Sequence, residues 1–309
     1  MAGRSCRRKV APDHRCPTYT VAASKPTRGD AMTDSMIEVR GARLWHEISG
    51  EGEPVLQIHG SGFGHFNFGP ITPILSKTFR CIDYDQRGYG ASEKPEQHYD
   101  LEVWADDAVG MLDALGIEKA HIHGTSMGGM VATIVAGKYP DRVQSVVINC
   151  AAAKLGFSGR LVFKNWIDLI KLEGCGSRIL AELIAWQCLS RAYMATPEGQ
   201  EGVEVIQQIL RDANEDRVMI QACEAMNAMD NRDWVKKITS PALVIGGDED
   251  VMTPWDQGPD GAGQQWIADN LPNGETYVVK GGNHSTIFDS TEDHAQAVTA
   301  FFTKHAGAA

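Results

Sequence analysis

The pentad Gly124-Thr125-Ser126-Met127-Gly128 constrains this chain more than any other feature. The run at 119–123 before it reads as a short buried strand. The run at 130–139 after it reads as a helix, with the small residues Ala132 and Ala136 on one face. A strand that passes into a helix through so few residues must turn very tightly. Glycine is needed on both flanks of that turn, because a β-carbon there would collide with neighbouring backbone. The turn lifts Ser126 Oγ above the sheet and sets it at a helix N-terminus, whose amides can stabilise an oxyanion. A glycine-flanked serine in an ordinary loop would carry the same five letters, so the rest of the chain has to decide.

Strand and helix signals alternate from Ile37 onward. Runs at 37–40 and 43–48, separated by Gly41-Ala42, predict an opening hairpin. Further β-rich runs lie at 54–58, 79–84, 143–149, 242–245 and 276–279. Helical spacing occupies 101–115, closed by Gly116, and 295–304. The alternation predicts an α/β fold, a mostly parallel sheet flanked by helices on both faces. One stretch breaks it. Residues 151–235 show no strand and carry helical apolar clusters, such as Val205-Ile206-Ile209-Leu210. They are expected to form an all-helical lid over the C-terminal ends of the strands, where open α/β sheets bind ligands. Trp166, Trp186, Met194, Met219, Met226 and Met229 are its candidate pocket residues, set against the alternative that they pack the lid on itself. The core is then 35–150 together with 236–309.

The first 34 residues stand apart. They carry Arg4, Arg7, Arg8, Lys9, Arg15, Lys25 and Arg28 without hydrophobic periodicity. A disordered basic tail, or a translation start placed upstream of Met32 or Met36, is expected. A transit peptide also fits the composition, whereas no apolar run follows Arg7-Arg8 as an export signal requires. The net charge of −11 gives no reason to expect nucleic-acid or anionic-membrane binding. No apolar run approaches the roughly 20 residues of a membrane span. Seven cysteines without metal-type spacing argue against a disulfide framework and point to a reducing cytoplasm. No cofactor and no metal are expected, and a homo-oligomer stays open.

A serine hydroxyl needs a base, and the base needs an orienting acid. The run at 242–245 leads through Gly246-Gly247 into Asp248-Glu249-Asp250, and the run at 276–279 leads into Gly281-Gly282-Asn283-His284. A carboxylate and an imidazole at the tops of two strands can converge on a serine at the top of a third, in the chain order Ser, Asp, His. Asp250 is favoured over Asp248 by its spacing from Gly247 and Pro254. His59-Gly60-Ser61-Gly62 follows another strand, and its glycine-rich turn can aim an amide at a substrate oxygen. The backbone N–H groups of Ser61 and Met127 are therefore the candidate oxyanion donors. His59 is expected to fix that loop, and His121 and His123 to pack within their strand. A phosphate-binding loop is excluded, because no Lys-Ser/Thr follows the glycines.

With these motifs in hand, the chain resembles the α/β-hydrolase fold superfamily from about Ile37 to Phe302. The shared features are the His-Gly-x-Gly loop, Asp85-Gln86-Arg87-Gly88-Tyr89-Gly90-Ala91-Ser92, the Ser126 turn, the Asp250 loop and Gly282-Asn283-His284. Serine rather than aspartate at position 126 sets it apart from the epoxide hydrolases and haloalkane dehalogenases of that fold. Within the serine branch it is most similar to 3-oxoadipate enol-lactonase-like proteins, through residues 151–156. The His-Gly-Ser-Gly loop looks more like that of C–C bond hydrolases of aromatic ring cleavage, which usually carry Asn and Trp where Thr125 and Ser285 stand here. The resemblance implies a cofactor-independent serine hydrolase of an ester or lactone of a small, partly apolar substrate, acting through an acyl-enzyme. C–C bond hydrolysis, perhydrolysis and a non-catalytic ligand-binding role are the alternatives. An acidic substrate would need a cation, for which Arg160, Lys164, Arg178 and Arg191 are the lid's candidates.

Overall fold

The computed structural model describes residues 36–307, so the basic tail expected at 1–34 lies outside the described residues. Strands β1 (Met36–Val39) and β2 (Ala42–Ser49) form the opening hairpin. Its turn falls on Arg40-Gly41 rather than on Gly41-Ala42. Both turn residues have positive φ, 48° and 78°, as a type I′ turn demands, and Ala42 is already buried in the second strand.

The chain continues through β3 (Pro54–Ile58), a 3₁₀ turn (Gly64–Phe68), α1 (Thr72–Leu75), β4 (Arg80–Tyr84), α2 (Leu101–Ala114), β5 (Ala120–Thr125), α3 (Met127–Lys138) and β6 (Val143–Asn149). Six helices follow without a strand. They are α4 (Phe157–Glu173), α5 (Arg178–Cys188), α6 (Arg191–Met194), α7 (Pro197–Ala213), α8 (Asp216–Ala228) and α9 (Arg232–Val235). The chain then returns through β7 (Ala242–Gly247), α10 (Gln264–Asn270), β8 (Gly274–Val279), α11 (Thr286–Asp289) and α12 (Thr291–Lys304).

All eight strands join one sheet in the order β1-β2-β4-β3-β5-β6-β7-β8, antiparallel at β1 and β2 and parallel from β4 onward. Every residue of β5 and β7 is buried, which is why β7 reads as a continuous apolar run, while β5 buries His121 and His123 beside its apolar residues. Side chains nevertheless alternate between two cores. Val146 and Ile148 pack with Trp104 and Leu112 of α2 and Met130 and Val131 of α3, while Val147 packs with Phe68, Leu75, and Val298 and Phe302 of α12. Burial of such residues on both faces contributes the main stabilisation of a sheet of this kind, about 1.5–3 kcal/mol for each large side chain.

The topology places the functional loops. β3 lies between β4 and β5, so the direction of connection reverses there and the loops leaving β3 and β5 diverge around a crevice. The loops after β7 and β8 rise on the other side of β6. The helices of 157–235 are tied to this end of the sheet by backbone and side-chain bonds. Ser285 N donates to Cys188 O at 2.8 Å, Asn283 Nδ2 to Leu189 O at 3.0 Å, and Asn214 Nδ2 to Gly62 O at 2.9 Å.

Candidate active site

β5 runs two residues further than its apolar pattern suggests, through Gly124 and Thr125, and α3 begins at once with Met127. Ser126 alone makes the turn, with φ 55° and ψ −122°, a conformation costing a non-glycine residue on the order of 1–3 kcal/mol. The surroundings hold it there. Ser126 N donates to Asn149 O at 2.9 Å, and Ser126 O accepts from Gly129 N and Met130 N. A β-carbon on Gly128 would sit 1.9 Å from Ile58 O, and one on Gly124 2.1 Å from Gly128 O. The two glycines therefore let the turn press directly against β3.

The loops after β7 and β8 bring Asp250 and His284 to this serine. His284 Nδ1 lies 3.1 Å from both oxygens of Asp250, and His284 Nε2 lies 2.8 Å from Ser126 Oγ. A carboxylate can only accept, so the ring carries its proton on Nδ1, and bare Nε2 accepts from the Ser126 hydroxyl. Burial alone would raise the Asp250 carboxyl. The charge and hydrogen bond of His284 and the donors of Thr253 nonetheless hold it below the usual carboxylate range. The carboxylate accepts from the Met252 and Thr253 amides and the Thr253 hydroxyl, each at 2.9 Å, and from Gln264 Nε2 at 3.2 Å. Asp248 points elsewhere, accepting from Gly281 N at 2.7 Å and Lys280 Nζ at 3.1 Å at the surface.

The loop after β3 closes the other side. A β-carbon on Gly60 would meet Ser126 Cβ at 3.1 Å, which places the Ser61 amide beside the serine. Neither the Ser61 nor the Met127 amide has a hydrogen-bond partner among the described residues. The loop is braced from below. Gln86 N donates to His59 Nε2 at 2.9 Å, Gln86 Nε2 to His59 O at 2.8 Å, and Gly60 N to Asn67 Oδ1 at 2.8 Å. Burial pushes His59 down to about 4, so it stays a neutral brace. The Asp85–Ser92 motif serves the same loop. Asp85 accepts from His65 N and Ala91 N, and Arg87 is locked in a bidentate pair with buried Asp107 at 2.7 and 2.8 Å.

Above Ser126 and His284 lies a cleft whose apolar walls are Phe63, Phe163, Trp166, Cys188, Met252 and Ile287. Of the aromatic and methionine candidates, Trp166 lines it. Trp186 is exposed on the outside, and Met226 is buried in the core. Met219 packs against the Ser61 hydroxyl at 3.6 Å. None of the four candidate cations lines the cleft. Arg160 pairs with Asp260, Lys164 with Asp168, and Arg178 with Glu182 and Glu204, while Arg191 is exposed.

Cys150, Asp250 and His284 could offer three metal-ligand atoms within 4.8 Å of one another. Burial pushes the Cys150 thiol well above its ordinary range, which opposes the thiolate a metal requires.

Sequence reasoning missed Thr253, Gln264, Asn149, Thr286 and Asn67. Thr253 carried a usable signal, since an Asp followed three residues later by Thr is a turn-forming pattern. The polar Asn149 ending an apolar strand carried another.

A sequence profile described as alpha/beta hydrolase fold matches residues 53–171. A 2-hydroxymuconate semialdehyde hydrolase of Pseudomonas sp. (strain CF600) is 44% identical over 112 residues, 35% of this chain and only 40% of that protein. The 3-oxoadipate enol-lactonase 2 of Acinetobacter baylyi is 25% identical over 67% of this chain and 72% of its own. The crystal structure of the enol-lactonase from Burkholderia xenovorans LB400 superposes with a TM-score of 0.78 at 25% identity, covering 87% of this chain and 99% of that one.

Proposed function

The chain belongs to the α/β-hydrolase superfamily and is a hydrolase; on that premise we propose that it cleaves an ester or lactone through an acyl-Ser126 intermediate. The carrying observation is the 2.8 Å approach of His284 Nε2 to Ser126 Oγ with Asp250 behind the ring. Ser126 Oγ attacks the carbonyl carbon as His284 Nε2 takes its proton. Asp250 holds the imidazole in the tautomer that leaves Nε2 free, and it stabilises the imidazolium that forms. The Ser61 and Met127 amides receive the oxyanion at the N-terminus of α3. His284 then gives its proton to the leaving oxygen. Water, deprotonated by the same imidazole, releases the acid and restores Ser126. The helices of 151–235 act as the lid that supplies Phe163, Trp166 and Cys188 to the substrate's walls.

Proton release followed by pH-stat over a panel of simple esters, lactones and ring-cleavage diketo acids tests this, with Ser126→Ala as control. Acid formed by the wild type and abolished in the variant is expected. Turnover that survives in Ser126→Ala would remove the serine from the mechanism.

C–C bond hydrolysis is the second reading. It is favoured by the 44% identity of a 112-residue segment to the muconate semialdehyde hydrolase. Bleaching of a chromogenic ring-cleavage product would select it over the ester reading.

A further inference from the structure

We infer that the cleft selects an uncharged acyl group and rejects substrates whose acyl group carries a carboxylate. This rests on the serine-hydrolase reading of the same site and names its substrate class. Besides Ser126 and His284, the six apolar walls leave four polar residues facing the cleft, none of them carrying a charged group: Ser61, Asn67, Thr125 and Ser285. Asn67 Oδ1 and Thr125 Oγ1 already accept, from Gly60 N and from Asn149 Nδ2 at 2.8 Å, so what these residues can still offer a ligand is uncharged amide and hydroxyl donors. Trp166 Nε1, the polar atom of the largest wall residue, donates to Gln187 at 2.8 Å and is not free for substrate.

A buried carboxylate needs a cation or several directed donors to offset its lost hydration. Among the described residues none of the cleft lining is Lys or Arg. The positive end of α3 is already committed to the oxyanion of the reacting carbonyl, so a second anion would compete with it. Asp250, held ionised just behind His284, adds repulsion at close range, and the net charge of −11 adds it at long range. Apart from that helix end, the charges near the serine therefore oppose an acidic substrate, while the walls reward an apolar one.

The test compares dimethyl glutarate with monomethyl glutarate, which offer the same ester and nearly the same shape but differ by one negative charge. For the wild type near pH 8, kcat/KM for the diester is expected to exceed that for the half-ester by about 10²-fold or more. Dissociation constants of both compounds on Ser126→Ala, measured by ligand-observed NMR, read the selectivity without requiring turnover. At least about tenfold tighter binding of the diester is expected there. Preferential diester binding without wild-type turnover would sink the serine-hydrolase reading and leave the selectivity standing. A half-ester bound or turned over as well as the diester would overturn the selectivity, as would failure of Ser126→Ala to bind either.

Discussion

Thr286 Oγ1 donates to Asn149 Oδ1 at 3.0 Å, joining the loop that carries His284 to the strand beside the serine. Asn149 is shared between both partners of the reaction. Its carbonyl holds Ser126 N at 2.9 Å, and its amide donates to Thr125 Oγ1 at 2.8 Å. The chain of bonds continues from Thr286 to His294 Nδ1 at 3.1 Å and from His294 Nε2 to His123 Nε2 at 3.2 Å, all of it buried. Only His123 Nδ1, at the far end of this buried network, lacks a partner, and such a network fixes geometry more than it adds stability.

Thr286→Val keeps the shape and removes the hydroxyl. It should lower kcat about tenfold with KM little changed, because a small displacement of the imidazole costs the proton transfer and not substrate binding. Thr286→Ser should restore the rate. Equal losses in both variants, or a loss confined to KM, would mean the hydroxyl only supports the fold.

Gly128→Ala is expected to destabilise the protein by about 3 kcal/mol or more, since its β-carbon would stand 1.9 Å from Ile58 O and neither backbone can yield. Gly116→Ala meets no atom within 4 Å, and its cost comes from the positive φ of 67° alone. About 1 kcal/mol is expected there. Urea denaturation of the two variants side by side checks the order. A Gly128→Ala protein as stable as the Gly116 variant would contradict the close packing of the turn on β3.

How legible these features were follows from how local their causes are. The strand-to-helix turn at Ser126 and the alternation of strands and helices rest on short-range sterics and burial, and both stand in the sequence. The hairpin turn was displaced by one residue, because the choice between Arg40 and Ala42 depends on which side chain finds the core. The residues that brace the site were legible only in part. Asn149 showed as a polar residue ending an apolar strand, but its bonds, like those of Gln264 and Thr286, cross between elements whose adjacency the sequence does not print. The lid's cations misled for the same reason. A helix pattern marks Arg160 and Arg178 as exposed or buried, but it does not show that acidic partners already engage them.

Buried histidines held neutral, His59, His123 and His294 together with His121, set the acid limit of the fold. Burial pushes His59 down to about 4 and His294 to about 3, and holds His123 well below the ordinary range beside His294. Each binds its proton more readily in the unfolded chain than in the folded one. Their contribution is therefore complete above the unfolded histidine value of about 6.5 and is lost as pH falls toward the folded values. Unfolding free energy should drop between pH 6.5 and 4 by up to about 1.4 kcal/mol per pH unit for each histidine. Denaturant titrations at pH 7, 6 and 5 measure the slope. Asp83 and Asp289, raised by burial to about 6, work in the opposite direction, so the net slope is smaller than the histidines' sum. A stability that rises from pH 7 to 5 would overturn the histidine reading.

Asp250→Asn separates the carboxylate's electrostatic work from its structural work. The carboxylate accepts from Met252 N, Thr253 N, the Thr253 hydroxyl and Gln264, so both oxygens are engaged even without His284. An asparagine can keep the two amide bonds through Oδ1. Its NH₂ group would then face Thr253, Gln264 and His284 Nδ1, where it donates to the ring instead of accepting from it. The imidazole is driven to the tautomer with its proton on Nε2, facing Ser126, where it can no longer accept. A fall in kcat of about 10⁴ is expected, with the folded protein still formed. The pH profile carries the diagnostic. With the proton acceptor lost, part of the rate should return at high pH, where hydroxide can take over the role of base. If Asp250→Asn retains more than about a tenth of the wild-type kcat, Asp250 is a loop anchor and the orienting acid lies elsewhere.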